Sequence, residues 1–212
     1  MLPIALAVIL VAAPQLADAP SAPAPHQQPS AEQTAVFAGG CFWGVEGVFE
    51  HLRGVKSATA GYAGGTAASP SYEEVSSGNT GHAESVRVAF DPAQISYKQL
   101  LEVFFAVAHD PTQRNRQGPD VGTQYRSIVF YANDEQKREA EAYVAELSAK
   151  KAYPRPIVTE IVALRGFYQA EDYHQGYMQR HPLAPYIVFN DAPKLVQLQR
   201  QFPDLYRKPA GT

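Results

Sequence analysis

Apolar side chains at Val45, Val48, Phe49 and Leu52 fall at i, i+3, i+4 and i+7, and predict a helix over residues 41–52 with one buried face. A strand-like run, Thr34 to Phe37, precedes it, and Gly39-Gly40 make the turn between the two. Val55 to Tyr62 reads as a second strand, ending in Ala63-Gly64-Gly65, and a short helical turn follows near Glu73 to Ser76. Ser85 to Phe90 alternates, with Val86, Val88 and Phe90 on one face, until Asp91-Pro92 breaks it. Ser96 with Gln99 forms a capping-box pattern that opens a helix over 97–108, carrying Leu100, Leu101, Phe104 and Phe105. A polar loop, His109 to Thr123, leads to a strand at Ser127 to Tyr131. Asn133 and Gln136 cap a polar helix to about Lys150. A strand at Ile157 to Leu164, an aromatic segment Gly166 to His181 and a tail helix at Ala192 to Gln201 complete the pattern.

From Thr34 to Tyr131 the order is β-α-β-β-α-β. That order predicts an α+β chain with a ferredoxin-like two-layer α/β sandwich core, helices on one face of the sheet, and a C-terminal extension. Residues 34–212 are expected to form a single domain, long enough for a sizeable core. Residues 2–13 are an apolar run that resembles the h-region of a secretory signal. With the Ala/Pro-rich stretch to residue 33 it makes a signal-like segment and a disordered linker. The expected location is therefore periplasmic or secreted, and cytoplasmic if that segment is not a functional signal. A net charge of −3 gives no electrostatic case for nucleic acid.

Composition changes the picture at one residue type. The chain has one cysteine, Cys41, so an internal disulfide is excluded and any thiol chemistry runs through one sulfur. It sits at the predicted helix start, where free N–H groups and the helix dipole favour a thiolate and lower such a pKa by about one to several units from roughly 8.5. The plain alternative is an inert buried cysteine. Trp43 lies off the apolar stripe, so its ring need not enter the core. Glu84, at the mouth of the alternating strand in Gly81-His82-Ala83-Glu84, is expected to be semi-buried with a raised pKa, as a proton donor requires. His82-x-Glu84 matches half of a zinc-deaminase motif, but the Pro-Cys-x-x-Cys half cannot exist with one cysteine. The six histidines show no metal-ligand spacing. Tyr72 and Tyr125 are loop-side tyrosines whose hydroxyls can hold an oxygen that gains charge. His174 offers a base, so a Cys41/His174 hydrolase or acyltransferase is the rival reading. A thiol sensor or binding module is the third.

Gly40-Cys41-Phe42-Trp43-Gly44, Gly81-His82-Ala83-Glu84, Gly122-Thr123-Gln124-Tyr125-Arg126-Ser127 and Ala170-Glu171-Asp172-Tyr173-His174-Gln175 occur in that order. Together they resemble the A-type peptide-methionine sulfoxide reductases, over roughly residues 34 to 192. The resemblance implies a ferredoxin-like α+β core. It implies that Cys41 attacks the sulfoxide sulfur of the S epimer and that Glu84 protonates the oxygen. Tyr72 and Tyr125 would hydrogen-bond that oxygen, Phe42 and Trp43 would wall the methyl group, and Asp120 would help order the site. Methionine and a Cys41 sulfenic acid would be the products, with no metal or organic cofactor. The substrate would be an oxidised protein or peptide, with free methionine sulfoxide as a further one, and the enzyme a monomer. Many members carry further cysteines that resolve the sulfenic acid. This chain has none, so the resemblance implies an external thiol: glutathione with glutaredoxin, or a thioredoxin-like protein.

Overall fold

A computed structural model of the protein describes residues 32–66, 68 and 70–208. The signal-like run and nearly all of the linker expected before residue 34 lie outside them. Strand β1 (Gln33–Gly39) takes in Gln33 and is followed by helix α1 (Phe42–Glu50) and strand β2 (Val55–Ala63). Helix α2 (Tyr72–Ser76) carries a capping box between Ser71 and Glu74. Strand β3 (Ala83–Phe90) leads to helix α3 (Tyr97–Val103), capped by Ser96 and Gln99 as the sequence predicts.

The helix predicted over 97–108 stops being α-helical at Val103 and finishes as one π turn, Phe104–Ala108. The buried ring of His109 accounts for the exit. Its Nδ1–H donates to the Phe104 carbonyl at 3.0 Å, and its Nε2 faces the Ser127 hydroxyl at 2.7 Å. Burial holds this imidazole neutral, with its pKa lowered to about 4. The loop predicted over His109 to Thr123 contains a small two-stranded ribbon, β4 (Arg116–Gln117) and β5 (Asp120–Val121). Strand β6 (Ser127–Tyr131) and helix α4 (Asp134–Ala149) follow, then β7 (Glu160–Ala163), shorter than the Ile157–Leu164 run. The aromatic segment supplies strand β8 (Phe167–Gln169) and helix α5 (Tyr177–Arg180). A second π turn, Ile187–Asp191, runs into helix α6 (Ala192–Gln201).

The six-stranded sheet has the order β7-β6-β1-β3-β2-β8. Its inner four strands are antiparallel in the ferredoxin-like arrangement. The C-terminal extension widens it, β7 joining parallel to β6 and β8 antiparallel to β2. Alternation decides which side chains meet the helices. Ala35 and Phe37 of β1 join the main core with Val45, Phe49, Leu101, Ala140 and Leu198. Val36 and Ala38 point to a smaller cluster with Ile128 and Phe130 on the opposite face. Phe37 is the centre of the first cluster, stacked on Phe49 at 5.1 Å and on Phe104 at 4.9 Å.

Antiparallel pairing has one consequence for chemistry. Phe37 pairs with Val86 and Gly39 with Ser127. The end of β1 therefore lies beside the beginnings of β3 and β6, and Tyr62 near the end of β2 pairs with Glu84. Cys41, Glu84, Tyr125 and the approach to Tyr72 are gathered at one end of the sheet by register alone.

Phe37→Ala removes the ring at the centre of this stack and is expected to cost about 3–5 kcal/mol of unfolding free energy. Urea denaturation checks it: the midpoint should fall with the slope unchanged.

Candidate active site

Cys41 leaves β1 through Gly40, whose φ of +92° suits glycine, and whose Cβ would lie 2.5 Å from the Gln117 side chain. It is the N-cap of α1 rather than a member of its first turn, and it is half-buried. The expected lowering of the thiol pKa does not hold. The Trp43 backbone N–H does favour the thiolate, but burial first, then the charges of Glu84 and Asp191, push the thiol well above its ordinary value. The helix start does lower the thiol pKa, but burial and two nearby carboxyl groups outweigh it.

Glu84 is 2% exposed. Its Oε2 accepts the Phe42 backbone N–H at 3.0 Å, which is one of the donors that the start of α1 leaves free. Burial outweighs that hydrogen bond, Asp120 adds repulsion, and the pKa rises to about 8. The acid form expected from the strand pattern is the resting form at neutral pH. Tyr72 and Tyr125 are half-buried tyrosines near Glu84 and Cys41. Burial comes first in raising both hydroxyls, and then the charge of Glu84, with Cys41 acting on each as well. Asp120 is held by a short hydrogen bond from the Tyr186 hydroxyl.

Phe42 is fully buried, its ring against Tyr62 and His174. Trp43 is half-buried and fixed on three sides. Its ring stacks on Tyr177 at 3.8 Å, it meets Tyr186 edge-on, and its indole N–H donates to His174 Nδ1 at 3.1 Å. That last bond settles the rival dyad. The accepting nitrogen of His174 is already used by Trp43, and Nε2 is buried with no partner among the described residues. Burial lowers its pKa although Glu171 opposes the change. The groups that act most on Cys41 are Glu84, Asp191, Trp43 and Lys194. His174 is a holder of Trp43 and not a base for the thiol.

The motif around His174 acts as a clamp. Glu171 accepts the Tyr62 hydroxyl and the Tyr72 backbone N–H, both at 2.8 Å. Gln175 accepts from Ala60 N–H and donates to the Ala60 and Ala170 carbonyls. Gly176 N–H donates to the buried Glu46. Tyr62, Tyr177, Tyr186, Asp191 and Lys194 were not singled out from the sequence. They come from separate elements, and no local pattern marks them; Asp191 before Ala192-Pro193 reads only as a helix start.

Fold and geometry define the class: an α+β enzyme whose half-buried thiol faces a neutral carboxyl and two tyrosine hydroxyls beside an aromatic wall. The family model for peptide methionine sulfoxide reductase matches residues 33–205. Peptide methionine sulfoxide reductase MsrA 2 of Mesorhizobium japonicum is 55% identical over 174 residues, which cover 82% of this chain and 89% of that protein. The corresponding MsrA of Thermus thermophilus is 52% identical, over 83% of this chain and 98% of that one. Among solved structures, methionine sulfoxide reductase A of Corynebacterium diphtheriae has a TM-score of 0.64 at 36% identity, covering 76% of this chain and 84% of that one. Reduced Mxr1 of Saccharomyces cerevisiae has a TM-score of 0.65 at 35% identity, covering 72% and 87%. The chain belongs to the peptide methionine sulfoxide reductase family, and within it to the A-type peptide-methionine (S)-S-oxide reductases.

A carboxyl that titrates near 8 in the fold and near 4.3 unfolded changes stability with a definite sign. As pH rises from about 4 to about 8, the unfolded chain releases the proton first, so the stability present at low pH is lost across that window. Glu84 and Glu46, both raised to about 8, act in the same direction. Glu84→Gln, which keeps an acceptor for Phe42 N–H, is expected to flatten the decline. Urea midpoints at pH 5 and pH 8 measure it.

Proposed function

We propose that this chain reduces methionine-(S)-sulfoxide, in oxidised proteins and peptides and as the free amino acid, by a thiol-dependent route through a Cys41 sulfenic acid. The observation that carries the reading is the buried, protonated Glu84 hydrogen-bonded at the start of the helix that Cys41 caps. The resting pair is then a thiol and a carboxylic acid, so neither Cys41 nor Glu84 carries a buried charge at neutral pH. When the sulfoxide enters, its oxygen meets the Glu84 carboxyl with the Tyr72 and Tyr125 hydroxyls. Each bond to that oxygen draws electrons from the sulfur, which makes it the electrophile. Phe42 and the immobilised Trp43 form the apolar wall for the methyl group. Asp120, tied to Tyr186, keeps negative charge near Glu84 and so favours the acid.

Cys41 sulfur bonds to the sulfoxide sulfur as Glu84 passes its proton to the oxygen, and the thiol proton restores the acid. The original S–O bond then breaks as the oxygen passes to the Cys41 sulfur, and the bond between the two sulfurs breaks with its electron pair left on the substrate sulfur. The substrate sulfur gains two electrons, Cys41 loses two, and methionine leaves. The sequence has one cysteine, so an external thiol resolves the sulfenic acid. Glutathione with glutaredoxin and a thioredoxin-like protein both have that chemistry. The first thiol forms a mixed disulfide and releases water; the second returns Cys41.

Single-turnover mixing without thiol tests the reading. The reduced protein should give about one methionine per Cys41 from the S epimer, none from the R epimer, and gain the mass of one oxygen. Glu84→Gln is expected to slow methionine release by about 10²–10⁴-fold. Repeated turnover without added thiol, or equal yield from the R epimer, contradicts it.

A further inference from the structure

Helix α1 presents two stripes of side chains. Val45, Val48 and Phe49 face the core. Trp43, Glu46, Gly47 and Glu50 fall at i, i+3, i+4 and i+7 and make the second stripe. That stripe meets consecutive residues of the C-terminal extension, Gly176 to Gln179. Trp43 stacks on Tyr177 at 3.8 Å, with the two rings 9° from parallel. Glu46 Oε2 accepts the Gly176 backbone N–H at 2.9 Å, and Glu50 Oε2 accepts from Gln179 Nε2 at 3.0 Å. Gly47 leaves room for Met178: a Cβ there would lie 2.6 Å from the end of the Met178 side chain.

Glu46 is not a surface glutamate. It is 1% exposed, a burial that glutamate rarely reaches unless paired. Burial, then Glu50, raises its pKa to about 8, against the Gly176 and Ala60 N–H groups and Arg180. It therefore rests as an acid at neutral pH and adds no buried charge. An apolar side chain could fill the same space, but it could not accept a backbone N–H from the residue before Tyr177. Gly176 has a φ of +57° and is the turn into α5, so this hydrogen bond fixes the point from which Tyr177 starts.

We infer that Glu46 and Glu50 are positioning residues for Trp43, seating residues 176–179 on α1 so that Tyr177 backs the indole and holds the aromatic wall in place for the substrate. The inference rests on the proposed role of Trp43 in the sulfoxide site. Neither glutamate touches the reacting atoms. Their effect passes through Gly176 and Gln179 to the ring of Tyr177, and from that ring to Trp43. A wall already in place needs no ordering when substrate enters, so the pair acts on binding. Loosening it weakens binding of substrate and transition state alike, which raises KM and leaves kcat.

Trp43 is the one tryptophan of the chain, so tryptophan fluorescence reads this residue alone. In Glu46→Ala the emission maximum should move to the red, and acrylamide quenching should rise several-fold. In single turnover, the concentration of a methionine-(S)-sulfoxide peptide that half-saturates the rate should rise about tenfold, with the plateau rate within about twofold. Glu46→Gln keeps the size, the neutral charge and the acceptor, and should restore the wild-type values. Glu50→Ala should move the same readouts in the same direction by less. Ile128→Ala, in the cluster on the opposite face of the sheet, should lower the urea midpoint and leave the indole signals unchanged. A Glu46 that only stabilised the fold would behave like that control. Unmoved fluorescence and half-saturation in Glu46→Ala, or equal losses in Glu46→Gln and Glu46→Ala, overturn the inference. Where Glu46→Ala does not fold, unmoved fluorescence in Glu50→Ala overturns it. The fluorescence assays use no sulfoxide. A protein that released no methionine would fail the proposed function and still give the emission readout, whereas a working reductase with unmoved emission and half-saturation would fail the positioning role alone.

Discussion

A carboxyl group buried to 2% exposure, with one backbone N–H to hold it, is the constraint around which this site is arranged. Ionising Glu84 in the fold costs about 5 kcal/mol more than in water, taking its rise from 4.5 to about 8 at the usual free energy per pH unit. The fold therefore keeps it neutral, and a neutral acid is the form that can give a proton. The Phe42 N–H bond also joins the start of α1 to the start of β3, so the acid and the Cys41 sulfur are presented by adjacent strand ends. Antiparallel register puts these ends together, with the aromatic stack around Phe37 beneath them.

The C-terminal extension does the second part of the work. Its strand β8 widens the sheet, and the segment from Glu171 to Gly176 reaches back to β2, α2 and α1 through side chains aimed at backbone groups. Such contacts fix geometry at little cost in charge. They leave His174 free to hold the Trp43 indole, and Trp43 is locked between His174, Tyr177 and Tyr186. An indole held on three sides keeps one orientation beside the turn that Cys41 caps.

Much of this was legible from residues alone. The β-α-β-β-α-β order, the capping box at Ser96, the N-cap at Asn133, and the tail helix at Ala192–Gln201 follow from periodicity and end signals that act within a few residues. Glu84 could be picked out because it opens an apolar strand. The errors have one physical origin, which is that pKa and packing are set by groups distant in sequence. Cys41 looked like a cysteine activated by a helix start, but burial, Glu84 and Asp191 reverse the balance. His174 looked like a base, but an indole donates to it. The π turn at Phe104–Ala108 depends on the ring of His109 and not on the apolar spacing that suggested one helix. Gly44 carried a signal that could not be read, since the Asp191 and Lys194 side chains it makes room for come from the far end of the chain.

The protonation state of Glu84 is the quantity on which the account stands. Carboxyl carbon NMR of the protein labelled at glutamate side chains, with Glu84→Gln to assign the resonance, measures it directly in the resting enzyme. A midpoint near 8 is expected, with the acid form dominant at neutral pH. A midpoint near the ordinary glutamate value of about 4.3 would mean that Glu84 rests as a carboxylate, and it would remove the proton on which the proposed chemistry depends.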